Sequence, residues 1–183
     1  MVYSSLKIAK RIGFLFLLFI LFAVGVGFFL PDEYGMERSI TINAPAEQIF
    51  PHVNNLKMWS GWSPWNAIDP NMKLVYSSET PVGEGAWYSW KSNNSRVGVG
   101  KSAIIESKAN SLIRMDFNFG QNAEMKGSGK WTFESVEDGT KVTWGMSGVA
   151  NNFGERYFGI LMEQMVGGTF EEGLSNLKAV IEK

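Results

Sequence analysis

The sequence predicts an α+β protein that combines one antiparallel sheet, a long C-terminal helix and a separate N-terminal transmembrane helix. Three observations carry this prediction. Residues 12–30 form an uncharged and almost wholly apolar run. The middle of the chain alternates polar and apolar residues between short turns, which is typical of antiparallel strands. The last segment carries apolar residues at helical spacing.

The N-terminal run is long enough to cross a bilayer. At about 1.5 Å per residue, residues 12–30 span roughly 28 Å. Lys7, Lys10 and Arg11 precede the run and acidic residues follow it. The positive-inside rule therefore predicts cytoplasmic residues 1–11 and an extracytoplasmic C-terminal domain, periplasmic in a bacterium.

A cleaved signal peptide is the alternative for this run. Its apolar region would be about 7–15 residues long and would end in an Ala-x-Ala-like site. The run is longer, and residues 24–30 form a poor cleavage site. The sequence therefore favours an uncleaved anchor.

Composition limits the function of the remaining chain, which we divide into a linker, residues 31–35, and one domain, residues 36–183. Residues 31–183 contain 14 Lys and Arg against 18 Asp and Glu. This balance indicates no nucleic-acid partner, because phosphate binding needs a basic patch. One histidine and no cysteine exclude a Cys/His metal framework. We expect neither a metal nor a cofactor.

The domain begins with an alternating segment, residues 37–43, which predicts a strand. A short helix follows at residues 44–50, with Pro45 at its first position and Pro51 limiting or bending it. A second short helix is predicted over residues 55–58. Six further strands are predicted at about 72–78, 85–92, 96–107, 112–118, 126–134 and 141–148. The joints between these strands are short, which indicates antiparallel hairpins.

The C-terminal segment has one continuous apolar stripe, which predicts a long helix. Its members recur at steps of three and four: Phe158, Met162, Val166, Phe170, Leu174, Leu177 and Ile181. Gly167 and Gly168 interrupt the stripe and permit either a bend or a close approach of another element.

Three tryptophans, Trp59, Trp62 and Trp65, lie within seven residues of one another. Gly61 and Pro64 separate them, which predicts a turn or loop. A loop with this much aromatic surface must cover something apolar. The candidates are its own core, a hydrophobic ligand or a membrane surface.

Strand, two short helices, six strands and a long helix is the element order of the helix-grip fold. Residues 40–50 resemble the opening of the START-like superfamily, also called SRPBCC. Residues 59–65, with Asp69-Pro70, look like its polyketide cyclase/dehydrase branch. The resemblance continues at Gly83-Glu84-Gly85, Trp90, residues 97–100, residues 139–144 and residues 170–178. It extends from about Glu37 to the end of the chain.

The resemblance implies a curved antiparallel sheet wrapped around the C-terminal helix, with a hydrophobic cavity between them that opens near the loops. Members of the superfamily bind lipids, sterols, polyketides or other apolar molecules, and a minority catalyse reactions in the cavity. The fold does not by itself decide the function.

Aromatic and methionine residues are the candidates for lining such a cavity, because ligand pockets are mostly apolar. They are Trp62, Trp65, Trp87, Trp90, Phe117, Phe119, Trp144, Met146, Met162, Met165 and Phe170. Each of them could instead fill the core. Only one alternation phase of a strand faces inward. The sequence leaves open whether Trp87 and Ser89 or Tyr88 and Trp90 do so.

Five polar residues could supply acid, base or anion-binding groups. His52 ends a short helix, Asp69 and Glu84 lie in turns, and Arg156 and Glu163 are predicted on a solvated helix face. These positions favour structural roles. No catalytic residue is assigned.

Three functions are compatible with these observations. The favoured one is a membrane-anchored module that binds a hydrophobic small molecule or lipid. An enzyme on an apolar substrate would need at least two titratable groups converging in the cavity. An accessory subunit of a membrane complex would use the anchor, residues 12–30, and an aromatic face.

Overall fold

The computed structural model describes residues 2–120 and 125–183, and it confirms the predicted α+β class. The helices are α1 (Val2–Phe29), α2 (Ala46–Asn54), α3 (Pro64–Ile68) and α4 (Phe153–Ile181), with a 3₁₀ helix at Leu56–Gly61. The strands are β1 (Glu33–Ile42), β2 (Lys73–Tyr76), β3 (Trp87–Lys91), β4 (Val99–Lys108), β5 (Leu112–Phe119), β6 (Met125–Val136) and β7 (Gly139–Val149).

The seven strands form one antiparallel sheet in the order β1-β7-β6-β5-β4-β3-β2. Sequential strands pair as neighbours, whereas β1 returns to pair with β7 over its whole length, from Glu33–Val149 to Ile42–Thr140. A register shift between Ile104 and Glu106 on β4 marks a bulge, which bends a strand locally. The curved sheet holds α4 against its inner face, as in the predicted helix-grip fold.

The core lies between the inner face of the sheet and the C-terminal half of α4. The apolar stripe supplies four buried residues of α4, namely Met162, Phe170, Leu174 and Leu177, while Val166 and Ile181 are half-buried. The side chain of Phe158 lies outside the described part. Gly167 is buried against Arg38, and a Cβ there would lie 2.8 Å from the Arg38 Nη2 atom. Gly167 therefore permits the close approach of Arg38, and α4 continues through both glycines.

The predicted linker of residues 31–35 is shorter in the structure, because β1 begins at Glu33. β1 begins this early because Glu33 pairs with Val149, the last residue of β7. Beside this pair, the Ala150 N–H donates to the Asp32 carbonyl at 2.7 Å. Only residues 30–32 separate α1 from the sheet.

The predicted turn or loop of the tryptophan segment is confined to Trp62 and Ser63, because Trp59 lies in the 3₁₀ helix and Trp65 in α3. Asn55 begins the 3₁₀ helix by accepting a hydrogen bond from the Lys57 N–H at 3.1 Å. Pro64 is then the first residue of α3, where a missing N–H leaves no donor unpaired. Likewise, Pro51 lies inside α2, which continues for three more residues.

Two of these tryptophans cover the domain's own core. The Trp59 Nε1–H donates to the Val53 carbonyl at 2.8 Å, and the Trp62 Nε1–H donates to the His52 carbonyl at 3.1 Å. Both rings pack edge-on against Trp131 of β6. In the described part of the chain, the Trp131 Nε1–H is the buried side-chain donor that lacks a hydrogen-bond partner.

This difference predicts unequal costs for two matched substitutions. We expect the loss in the free energy of unfolding to be smaller for Trp131→Phe than for Trp59→Phe, by at least about 1 kcal/mol. Both changes shrink a buried indole, but only Trp59→Phe removes a hydrogen bond, whereas Trp131→Phe removes an unsatisfied donor. Urea denaturation of the two variants measures the difference, and an equal or larger loss for Trp131→Phe would contradict it.

Helix α1 contains the predicted membrane span. The stretch Lys10–Phe29 has 20 residues with a mean hydropathy of 2.8, and almost none of it is buried. It is long and apolar enough to cross a membrane, a property that signal sequences near the N-terminus share.

Candidate ligand cavity

A cavity of about 100 Å³ lies between the inner face of the sheet and α4, beside α3. Strands β2 to β7 all contribute to its wall. Trp65, Met72 and Phe119 are among the half-buried lining residues. The 3₁₀ helix and α3 thus cover one side of the cavity, while α4 closes another with Phe170.

Trp144 of β7 forms the deep end of the cavity. Its indole is stacked on the Trp131 ring at 4.4 Å between centroids and on the Phe170 ring at 4.0 Å. The Trp65 ring meets Trp144 edge-on at 5.7 Å. This aromatic cluster fills much of the space that the fold encloses, which explains why the remaining cavity is small.

The structure brings seven of the eleven predicted residues together around the cavity. They are Trp65, Trp90, Phe117, Phe119, Trp144, Met146 and Phe170. On β3 the inward phase is Tyr88 and Trp90, because these residues pair with Tyr76 and Leu74 of β2, which also line the cavity.

Four predicted lining residues lie elsewhere. The side chain of Trp87 lies on the outer face of the sheet, where the Lys101 Nζ atom is 4.1 Å from its ring centroid. Trp62 and Met162 are buried in the core at 2% and 1% exposure, and neither borders the cavity. Met165 is 61% exposed, because the first half of α4 lies along β1 with Met162 toward the core.

Sequence reasoning missed several lining residues. Leu74, Tyr76 and Tyr88 share the inward phase of β2 and β3, and Met115 shares that of β5 with Phe117. The alternation pattern contained the signal for Met115, since Phe117 lies two residues further along the same strand. Tyr76 and Tyr88 could have been found only by deciding which alternation phase of β3 faces inward, and the sequence left that open.

The polar groups of the cavity are hydroxyls and one amide. Ser60, Ser63, Asn66 and Ser102 are lining residues, and the Ser102 hydroxyl donates to the Asp116 carbonyl at 3.3 Å. No acidic, basic or histidine side chain lines the cavity among residues 2–120 and 125–183. The cavity wall therefore offers apolar contact and neutral hydrogen-bonding groups.

Two tyrosines are the titratable groups of the cavity wall. Burial raises the pKa of Tyr88, and the nearby Tyr76 raises it further. Burial also raises the pKa of Tyr76. Both hydroxyls are consequently neutral at physiological pH and can donate or accept a hydrogen bond, but neither is poised to act as a base.

None of the five polar candidates lines the cavity. Burial lowers the pKa of His52, which lies near the end of α2. Asp69 accepts hydrogen bonds from the Ser92 hydroxyl and the Asn71 N–H, as a turn residue does, and Glu84 is exposed.

The remaining two are on α4. The Glu163 carboxylate pairs with the Arg38 guanidinium at 2.9 Å. Arg156 was predicted on a solvated face, but it is half-buried and its guanidinium donates to the Leu30 carbonyl at 2.9 Å. A cation at the C-terminal end of α1 suits the negative end of the helix dipole. Within the described residues, no cluster of three His, Cys, Asp or Glu could hold a metal.

A curved antiparallel sheet that grips a C-terminal helix around an apolar cavity defines a helix-grip protein of the START-like class. The family model described as "Polyketide cyclase / dehydrase and lipid transport" matches residues 35–182. The chain belongs to this family. A comparison with curated proteins found no significant match.

Solved structures agree with this fold. An uncharacterised protein from Rhizobium leguminosarum is 15% identical with a TM-score of 0.56, covering 82% of this chain and 95% of its own. A protein from Chromobacterium violaceum is 13% identical with a TM-score of 0.56, at 82% and 98% coverage. The di-domain ARO/CYC StfQ from the steffimycin biosynthetic pathway is 11% identical with a TM-score of 0.62, covering 82% of this chain and 51% of its own. Identities this low establish the fold alone.

Proposed function

We propose that the protein is a membrane-anchored module that binds a hydrophobic small molecule or lipid in the cavity between the sheet and α4. The observation that carries this proposal is the cavity wall, which is aromatic, aliphatic and thioether in character and has no ionised side chain. Such a wall favours an apolar ligand, with the Tyr76, Tyr88 and serine hydroxyls to orient a polar end.

The size of the cavity limits how a ligand enters. About 100 Å³ is smaller than the roughly 300–1,000 Å³ of typical ligand pockets. Without rearrangement, the cavity has room for a slender apolar chain or a small ring. A larger molecule requires side chains to move. Met72, Met115 and Met146 in the wall are suited to this, because methionine repacks easily around irregular shapes.

Catalysis on an apolar substrate is the second candidate, and it rests on the cyclase/dehydrase description of the family. General acid–base chemistry needs groups whose pKa values lie near the working pH. The tyrosines of the wall have pKa values raised away from neutrality, and they have no charged partner in the cavity. Binding is therefore the better-supported function.

The anchor completes the proposal. Helix α1 holds the domain at the membrane with its N-terminus in the cytoplasm and residues 33–183 on the other side. The basic residues before the apolar run support this orientation. Contacts of α4 with the C-terminal end of α1 support an anchor that is retained, because cleavage after the span would remove Gly27 and Phe28 and leave Phe153 and Tyr157 without these neighbours.

Filling the cavity tests the binding function. Gly129 on β6 lines it, and a Cβ there would meet Met115 and Phe117 at ordinary contact distances of 3.6 Å. We expect Gly129→Leu to place four additional carbons in the cavity and to reduce ligand retention at least about tenfold, equivalent to about 1.4 kcal/mol. Native mass spectrometry of the full chain released from detergent micelles, with organic extraction of retained molecules, measures the effect.

Gly145→Leu is the matched control. Gly145 lies on the neighbouring strand and pairs with Lys130, so its side chain would extend from the outer face of the sheet. The wild type and Gly145→Leu should each retain one apolar molecule that Gly129→Leu lacks. Equal retention by all three chains, or an empty wild type that accepts no added fatty acid, would refute a binding role for this cavity.

A further inference from the structure

We infer that the first half of α4 contacts lipid directly, beside the membrane span of α1. The surface concerned, called here the apolar α4 surface, consists of Phe153, Ile160, Leu161 and Met165. Their side chains are 39%, 51%, 46% and 61% exposed, respectively. Large exposed apolar groups clustered on one element indicate an interaction site.

The first turns of α4 are attached to the last turns of α1. The Phe28 and Phe153 rings meet edge-on at 4.7 Å between centroids. The Tyr157 hydroxyl donates to the Ala23 carbonyl, and the Arg156 guanidinium donates to the Leu30 carbonyl. Phe153 and Tyr157 thus contact residues that lie inside the apolar stretch Lys10–Phe29.

The extent of these contacts places the start of α4 beside the membrane span. Gly27 lies beside both Phe153 and Tyr157, and the Tyr157 hydroxyl reaches back as far as the Ala23 carbonyl. Ala23 is about 9 Å before the end of the span, at 1.5 Å per residue. The start of α4 therefore lies alongside the apolar part of α1, within the same leaflet.

The remaining apolar residues follow closely along α4. At 1.5 Å per residue, Leu161 is about 6 Å and Met165 about 12 Å beyond Tyr157. Residues 157–162 carry no charge, and the next residue, Glu163, pairs with Arg38, a guanidinium that it shares with Glu171. An uncharged helical segment with exposed apolar side chains is suited to the acyl boundary of a bilayer.

The connection to the sheet keeps the domain at this boundary. Residues 30–32 span at most about 10 Å when extended. The antiparallel order also places the start of β1, the end of β5 and the start of β2 at one end of the sheet. Met72 and Phe119, two half-buried residues that line the cavity, are at this end. Lipid is consequently the occupant that continues the contact already made by α1.

This inference rests on the anchor of the proposed function, and the experiment separates the two. The chain contains no cysteine, so single cysteines can carry a nitroxide label in the full chain, reconstituted in phosphatidylcholine vesicles. The labelled variants are Leu161→Cys and Met165→Cys. Phe19→Cys reports on the span. Val136→Cys, at the opposite end of the sheet and 39% exposed, is the matched control in water.

Electron paramagnetic resonance then compares collision rates with oxygen, which concentrates in lipid, and with a water-soluble nickel chelate. We expect nickel accessibility at Leu161 and Met165 to be at least about fivefold below that at Val136, with oxygen accessibility higher, as for groups in the acyl boundary. Circular dichroism of each variant verifies the fold.

Three results would overturn the inference. Nickel accessibility equal to that of Val136 would place the surface in water. Low accessibility to both reagents would indicate a protein cover, and spin–spin broadening between chains would identify a second copy. If Phe19 is embedded while Leu161 is in water, only this inference fails; if Phe19 itself is in water, the anchor of the proposed function fails.

Discussion

Trp144→Ala is expected to lower the free energy of unfolding by about 3–5 kcal/mol, the largest loss we predict for a core substitution. Trp144 is almost fully buried, and its ring is stacked between Trp131 and Phe170. Its removal takes away the contact that joins β7 to α4 and leaves a void that rigid neighbouring rings cannot close. Urea denaturation of the full chain, followed by circular dichroism, measures the loss.

Trp87→Ala is the matched control, because it removes the same side chain from the outer face of the sheet. Trp87 packs under the Lys101 ammonium group, a cation–π contact worth about 0.5–1 kcal/mol at an exposed site. We expect a loss of no more than about 1 kcal/mol, with an unchanged denaturant slope. Similar losses at Trp144 and Trp87 would show that the aromatic cluster does not hold the sheet to α4.

Gly139→Ala should have the second-largest effect, a loss of about 2–4 kcal/mol. Gly139 begins β7 with a φ of +123°, a conformation that residues with a Cβ rarely adopt. An added Cβ would lie 2.9 Å from the Ala44 nitrogen and closer still to the Ile42 carbonyl oxygen. The substitution therefore strains the backbone and pushes β7 away from the end of β1, where Ile42 pairs with Thr140. Thermal and urea unfolding both report it.

Gly168→Ala is the comparison variant, and we expect it to change the stability in the opposite direction. Gly168 is exposed inside α4, and nothing lies within 4 Å of the position a Cβ would take. Alanine there should raise the stability by up to about 1 kcal/mol, because it favours the helix. If both alanine variants destabilised the protein equally, glycine flexibility rather than the close contact at Gly139 would be the relevant property.

The alternation of side chains predicted every strand of the sheet, and the apolar stripe predicted α4. Strand ends were less predictable. β1 begins four residues before its prediction because its ladder with β7 continues to Val149, and that partner is over a hundred residues away in the chain. The helical form of the tryptophan segment was missed for a similar reason. Its indole N–H groups bond to carbonyls of α2, which hold the short turns together.

The same distinction applies to the candidate site. Residue type identified the aromatic and methionine candidates, and seven of them surround one cavity. Sequence could not assign the inward phase of β3, because Trp87 and Trp90 are both large apolar residues. Register with Leu74 and Tyr76 of β2 decides it. The attachment of α1 to α4 through Phe153, Tyr157 and Arg156 left no pattern in the chain that would predict it.

The sequence by itself determined the class of the fold, the order of its elements and the apolar character of α1. These properties follow from local spacing and composition, which act over a few residues. Only the tertiary structure decided which aromatic rings fill the core, how much space remains beside Trp144, and where α4 meets α1. Those outcomes depend on packing between segments far apart in the chain, such as Trp144 on Trp131 and Phe170, whose contact geometry no local pattern encodes.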